Sequence, residues 1–307
     1  MPATRILPSP APFRKRRGVA QVLVPVLPSE VVIATQPVTR HSPPATPESQ
    51  ATASHELLSY YDALFRAHGP QHWWPGRTRF EVIVGAILTQ NTSWTNVERA
   101  IVNLRRERLL TPAAMEKVPT ARLAKLIRSS GYFRQKARKL KAFVAFLRQN
   151  YQGSLNKLFA TSTEQLREQL LAVHGIGPET ADSILLYAGQ HKVFVVDAYT
   201  RRILERHNLT HPKATYEEIR ALFVQNLPAD PLLYNEYHAL IVHTGKHHCR
   251  THQPDCANCP LSSFLPAPVA QTLLSVSPEP TREPSSRLAT RHAPRATSES
   301  PNTSHQS

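Results

Sequence analysis

The chain has 307 residues, with 37 Lys and Arg against 22 Asp and Glu, a formal charge of +15, 3 Cys and 27 Pro. No run approaches the roughly 18 apolar residues of a membrane span, and so few cysteines exclude a disulfide-stapled secreted scaffold. A balance this basic points first to nucleic acid as partner, with anionic membrane or acidic protein behind it.

Residues 1–53 hold 10 of the prolines and residues 266–307 hold 7. Both stretches are rich in Ser, Thr and Ala and show no sustained period, so they read as disordered tails that bury too little apolar surface to offset their ordering entropy. Arg14-Lys15-Arg16-Arg17 ahead of Val19 to Val26 has the outline of a signal peptide, but Pro25 and Pro28 interrupt the apolar run. The preferred reading is a DNA-touching arm or a passive tail.

Between the tails the sequence reads as helix after helix at the 3.6-residue period. The apolar stripes are Leu57/Leu58/Tyr61/Leu64/Phe65, Val82/Ile83/Ala86/Ile87, Val97/Ala100/Ile101/Leu104, Leu123/Leu126/Ile127 and Ala137/Leu140/Phe143/Val144/Leu147. Further along come Leu166/Leu170, Ala181/Ile184/Leu185/Ala188, Tyr199/Ile203/Leu204, Ile219/Leu222/Phe223 and Leu233/Tyr237/Leu240/Ile241. Only Lys192 to Val196 looks strand-like, and it is short. About ten helices with short links predict an all-α domain over 54–248, with a cysteine-containing loop at 249–265.

The clearest local signal is Val173-His174-Gly175-Ile176-Gly177-Pro178-Glu179-Thr180-Ala181-Asp182. One helix ends near Val173, two glycines bracket a tight turn that Ile176 plugs, and Pro178 suits the first turn of the next helix. Backbone N–H groups at such a turn and helix start converge outward and suit a DNA phosphate. A plain helical corner with a glycine C-cap is the alternative.

Gly175-Ile176-Gly177 with Thr180-Ala181, followed by Val195-Val196-Asp197, resembles the helix–hairpin–helix base-excision DNA glycosylases, the endonuclease III branch in particular. Three further segments extend the likeness over about residues 55–262: Ile87-Leu88-Thr89-Gln90-Asn91-Thr92, Gly131-Tyr132-Phe133-Arg134-Gln135-Lys136-Ala137, and Cys249-x6-Cys256-x2-Cys259. The resemblance implies a bilobal all-α fold and double-stranded DNA with a damaged base as partner. Asp197 is then the catalytic carboxylate, although on spacing alone it is equally an N-cap. A carboxylate there stabilises the oxocarbenium charge that develops as a glycosidic bond breaks. Gln90 and Tyr132 match positions that fill the gap left by a flipped nucleotide, with Asn91 beside them on the DNA side.

Glu179 departs from the pattern. Bifunctional members carry a Lys there, which forms a Schiff base with the sugar; a carboxylate cannot. A monofunctional, water-using glycosylase is therefore expected. Ala86 stands where the adenine-removing mismatch branch has a Glu, which disfavours that activity. Trp73-Trp74-Pro75 and Trp94, read together with the hairpin, resemble the 3-methyladenine glycosylase offshoot. Those tryptophans are candidates for the wall of the base pocket, where a cationic alkylpurine gains a cation–π contribution; core packing is the other role open to them. Alkylated purines are the first choice of substrate. A glycosylase/lyase acting on oxidised pyrimidines and a non-catalytic damage-binding protein are the alternatives.

The family's [4Fe–4S] loop expects a fourth Cys where Leu265 stands. Cys249, Cys256 and Cys259 leave three readings: a cluster with a non-Cys ligand such as His247, His248 or His252, a Cys3His zinc site, or no metal. Grouped thiols suit a reducing cytosol, so a cytoplasmic monomer is expected. Arg134, Lys136, Arg138, Lys139, Lys141, Arg201, Arg202 and Lys246 are candidates for a phosphate track.

Overall fold

The computed structural model describes residues 47–266, with side chains from 51 onward. The basic cluster at 14–17, the apolar stretch after it and the tail beyond Pro266 lie outside the described residues.

Twelve α-helices and no strand are present among the described residues. They are α1 (Pro47–His68), α2 (Arg79–Thr89), α3 (Trp94–Arg106), α4 (Pro112–Lys117), α5 (Thr120–Leu126), α6 (Phe133–Tyr151), α7 (Leu155–Phe159), α8 (Thr163–Leu171), α9 (Pro178–Ser183), α10 (Ala198–Arg206), α11 (Tyr216–Asn226) and α12 (Pro231–His247). All ten predicted stripes fall on helices or their ends. The two helices without a predicted stripe, α4 and α7, span 6 and 5 residues, too short to display a period. One boundary is corrected: α1 begins at Pro47, inside the stretch read as tail. Proline is tolerated at a first helical position, and the Glu, Gln and Ala that follow are good helix formers, so the buried face at Leu57, Tyr60 and Leu64 draws the helix back past residue 53. No described helix is long and apolar enough to cross a membrane.

Caps set most of the helix starts. Thr78 accepts from Glu81 N, Thr111 from Ala114 N, Ser154 from Lys157 N and Ser162 from Gln165 N. Thr215 and Glu218 form a reciprocal capping box.

The helices bury two separate apolar cores. One spans Phe80 to Val193 and holds α2 to α9; the other unites α1 with α10, α11, α12 and Leu261. The chain passes from the first to the second along Val193-Phe194-Val195-Val196, all buried. This is the strand-like run of the sequence. It is extended but has no strand partner, because its four consecutive apolar side chains are absorbed by two helical cores. Phe194 stacks on Phe223 at 3.8 Å and 2°.

A buried ion pair also bridges the two cores. Asp182 of α9 is fully buried and accepts from Arg167 Nε at 2.7 Å and from the Tyr216 hydroxyl at 2.8 Å. Arg167 also donates to Glu217 of α11 at 2.6 Å. Removing one partner strands a carboxylate in a low dielectric. Arg167→Met is therefore expected to cost about 3–5 kcal/mol of stability, read by urea unfolding; a change below about 1 kcal/mol would show that the bridge contributes little.

Candidate active site

A cleft of about 1100 Å³ is lined from both cores. The first core supplies Gln90, Trp94, Gly175, Glu179 and Tyr187; the second supplies Asp197, Tyr199, His238 and Lys246. Trp73 and Trp74 line it from the segment between α1 and α2.

Asp197 closes the crossing segment and is the N-cap of α10. Its Oδ1 accepts from Thr200 N at 2.8 Å and from Thr200 Oγ1 at 3.0 Å. The capping role and a place in the cleft thus coexist: one oxygen is tied to the helix start, and Oδ2 lies 3.7 Å from His238 Nε2.

The hairpin follows the predicted course. α8 ends at Leu171, two residues before the expected Val173, and Pro178 opens α9. Gly175 has φ +81°, a left-handed conformation that favours glycine, while Ile176 is buried beneath the turn. Gln90, the C-cap of α2, spans the gap to this hairpin. Its Nε2 donates to Gly175 O at 3.0 Å and to Thr180 Oγ1 at 2.9 Å, and its Oε1 accepts from Lys139 Nζ.

Asn91 (φ +53°) and Tyr132 (φ +44°) are exposed at two turns. These turns are joined from beneath. Lys136, 2% exposed, donates from Nζ to Leu88 O at 2.8 Å and to Ser130 O at 2.6 Å. Burial and nearby Lys139 lower its pKa to about 8. Lys136 is therefore an internal strut and does not belong to a phosphate track. Lys141 donates to Met115 O and Glu116 O, and Arg201 to Ala214 O. Arg202 donates to Gly245 O and Cys249 O. These cations satisfy carbonyls within the fold, whereas Arg134, Arg138 and Lys246 remain exposed.

The three tryptophans, separated by up to 21 positions, converge. Trp73–Trp74 and Trp74–Trp94 centroids are 5.2 Å apart, and Trp73–Trp94 6.1 Å. Trp74 packs closely on α2 at a glycine: a Cβ at Gly85 would meet its Nε1 at 3.1 Å, so the indole would have to give by a few tenths of an ångström. Tyr187 extends this aromatic wall, 5.1 Å from Trp74. It sits on a π-helical turn, Ile184–Ala188, with Gly189 N donating to Ile184 O, five residues back. Such turns rotate a side chain out of helical phase and frequently mark functional sites. Lys246 Nζ lies 5.9 Å from the Trp73 ring centroid.

Tyr187 and His238 escaped the sequence reading. Tyr187 carried no signal, because the π turn that aims it is invisible to periodicity. His238 did carry one, as an ionisable residue beside Tyr237 on an otherwise apolar helix face.

Cys249, Cys256 and Cys259 line one cavity of about 10 Å³ with Arg206, His248 and Leu265. Burial and the neighbouring thiols raise the pKa of Cys259 to about 11. The side chains do not make a four-thiolate cluster site. The apolar Leu265 takes the fourth position, and the cavity has room for little more than one water. Arg206 Nη1 lies 3.1 Å from Cys249 Sγ and also holds Arg250 O. Among the described residues no group of three or more His, Cys, Asp and Glu is arranged to hold a metal ion.

Residues 84–229 match the family described as HhH-GPD superfamily base excision DNA repair protein. A Methanocaldococcus jannaschii protein named "Putative DNA repair glycosylase MJ1434" is 48% identical over 210 residues, 68% of this chain and 94% of its own. Endonuclease III of Sulfolobus acidocaldarius is 28% identical over 62% of this chain and 83% of its own. Among solved structures, H. pylori 3-methyladenine DNA glycosylase (MagIII) bound to 1,N6-ethenoadenine aligns with a TM-score of 0.53 at 29% identity, covering 64% of this chain and 97% of that one. A trapped endonuclease III–DNA covalent intermediate shares the fold, with a TM-score of 0.62 at 21% identity over 72% of this chain and 98% of that one.

Glu179 is exposed to the cleft, yet the surrounding protein and the Asp197 carboxylate raise its pKa from 4.5 to about 7. The folded state then binds this proton more tightly than the unfolded chain. Stability falls as pH rises from about 4.5 through 7 and levels off above. Glu179→Gln removes this slope. Its unfolding midpoint should match wild type at pH 4 and exceed it at pH 8; equal midpoints at both would refute the coupling.

Proposed function

Because this chain belongs to the HhH-GPD superfamily of base excision DNA repair proteins, endonuclease III-like branch, and is a DNA glycosylase, we propose that it is monofunctional and removes alkylated purines from double-stranded DNA. The observation that carries this reading is Asp197: a carboxylate fixed at one oxygen to a helix start, at a cleft walled by Trp73, Trp74 and Trp94. Glu179 stands at the same cleft where a lyase keeps its attacking amine.

In this reading the backbone N–H groups of Gly175 and Gly177 hold a phosphate, while that of Ile176 is spent within the turn on Val173 O. Tyr132, Asn91 and Gln90 occupy the gap left by the extruded nucleotide. Gln90 would then exchange its bonds to Gly175, Thr180 and Lys139 for contacts with DNA. The flipped base stacks on the indole wall, where a cationic 3- or 7-alkylpurine is favoured over a neutral base.

The C1′–N bond breaks with its electron pair moving to the base. A cationic purine departs neutral, so little acid assistance is needed. The Asp197 carboxylate stabilises the oxocarbenium charge. It accepts a proton from the water that bonds to C1′, leaving an abasic site. No amine attacks the sugar, so the strand stays intact. The reading places this chemistry in a cytoplasmic monomer. The similarity to the H. pylori 3-methyladenine DNA glycosylase, which is bound to 1,N6-ethenoadenine, supports this substrate class.

Lys139 and Lys246 also line the cleft and keep a lyase reading open to test. Duplexes carrying 3-methyladenine, thymine glycol, uracil or adenine opposite oxidised guanine should separate the readings. Release of 3-methyladenine is expected, with strand breaks only after alkali and no borohydride-trapped adduct. Asp197→Asn should lower release about 10²- to 10³-fold while DNA affinity holds. Breaks without alkali would mean a lysine nucleophile. Binding with no release from any duplex would mean a damage-binding protein.

A further inference from the structure

The two oxygens of Asp197 have different surroundings. Oδ1 is held by Thr200, whereas Oδ2 faces His238 Nε2 at 3.7 Å. Among the described residues, no Lys or Arg lies within 4 Å of this carboxylate. His238 is buried on α12, its Nδ1 is 2.6 Å from the Tyr187 hydroxyl, and its Nε2 is buried without a hydrogen-bond partner.

The tautomer of His238 follows from Tyr187 and Asp197 together. Burial, then the Asp197 and Glu179 carboxylates, push the phenol pKa well above its ordinary value, so Tyr187 keeps its proton. A phenol can donate to Nδ1 or accept from it, but the Asp197 carboxylate facing Nε2 can only accept, so the arrangement that suits both neighbours has Tyr187 donating to Nδ1 and the ring's own proton on Nε2. Burial lowers the His238 pKa despite the opposing pull of Asp197, which keeps the ring neutral at pH 7. The groups facing it are Tyr187 from the π turn, Asp197 from the start of α10 and the Phe194 ring from the crossing segment.

We propose that His238 is a positioning residue for base excision: its Nε2–H, oriented by Tyr187, steers Asp197 Oδ2 toward the sugar while leaving the carboxylate charge unneutralised. The proposal rests on the catalytic reading of Asp197 above. The choice of a neutral donor has a physical reason. A Lys, Arg or imidazolium at this place would form an ion pair with Asp197 and cancel the field that an oxocarbenium ion needs. A neutral N–H orients the oxygen at small electrostatic cost. The 3.7 Å gap exceeds a hydrogen bond; such contacts commonly tighten when substrate binds.

Two measurements on the full chain test this. The first is ¹⁵N NMR of histidine-labelled protein at pH 7, with the His238 signals identified by their loss in His238→Gln. A neutral ring protonated at Nε2 is expected, and Tyr187→Phe should let the Nδ1–H form appear. A ring protonated at Nδ1 alone, or at both nitrogens, overturns the proposal. The second is single-turnover release of methylated purines from dimethyl-sulfate-treated duplex DNA, or of the base from whichever panel duplex reacts.

His238→Leu should lower the rate about 10- to 100-fold with Kd for the duplex within twofold. His238→Gln, which keeps an N–H near Nε2, should recover most of that loss. In an Asp197→Asn background His238→Leu should add nothing; a further tenfold loss would overturn the proposal. If His238→Leu unfolds, Tyr187→Phe decides: a several-fold slower rate at unchanged Kd supports the proposal, and an unchanged rate overturns it. Full activity in His238→Leu with Asp197→Asn inactive sinks this inference alone. Full activity in Asp197→Asn sinks the catalytic reading with it.

Discussion

The cleft depends on one constraint: Val193 to Val196 are four consecutive apolar residues buried between two helical cores. An extended segment with no strand partner is unusual in a helical protein, because its backbone groups lose the partners a sheet would supply. Here local contacts replace part of the ladder. Val193 N donates to His191 O, and Val196 N to the Tyr216 hydroxyl. Because the segment is locked on both sides, the residue that ends it has little freedom. That residue is Asp197, and the cap it provides for α10 fixes one of its oxygens as well.

Around this point the charges are sparse and chosen. Two carboxylates, Glu179 and Asp197, share one cleft, and burial together with the Asp197 charge disfavours ionisation of Glu179. One proton therefore stays near Glu179 into the neutral range, while the His238 beside Asp197 remains uncharged. Of the cations that could have formed a phosphate track, Lys136, Lys141, Arg201 and Arg202 instead hold carbonyls of the fold. Lys136 is the clearest case, tying the end of α2 to the turn before α6. Part of the basic complement of a chain with formal charge +15 is therefore committed to holding its own scaffold. Direct contact with phosphates is left to exposed cations such as Arg134, Arg138 and Lys246, whose attraction salt screens.

The cysteine loop is held the same way. Arg202 and Arg206 reach from α10 to Gly245 O, Cys249 O, Cys249 Sγ, Arg250 O and Thr251 O. These bonds fasten the loop to the helix that Asp197 caps. The loop and the cleft thus share α10 as a common support.

The sequence by itself determined the helical class, the ten apolar stripes, the hairpin around Gly175 and the carboxylate at 197. Each is a local matter: a period, a turn that requires glycine, a residue at the end of an apolar run. It also carried the departures at Glu179 and Leu265, which need only a position and a side-chain type. What it did not carry was everything set by residues distant in the chain. Lys136 read as surface charge because a basic run says nothing of which member turns inward. Gln90 read only as a gap-filling side chain, without its bonds to the hairpin, because its partners lie 85 and 90 positions away. Tyr187 and His238 stayed hidden because a π turn and a helix crossing bring them to Asp197. Only the packing of two cores against one extended segment decides that meeting, since a side chain's partners are chosen by the three-dimensional neighbours it desolvates against.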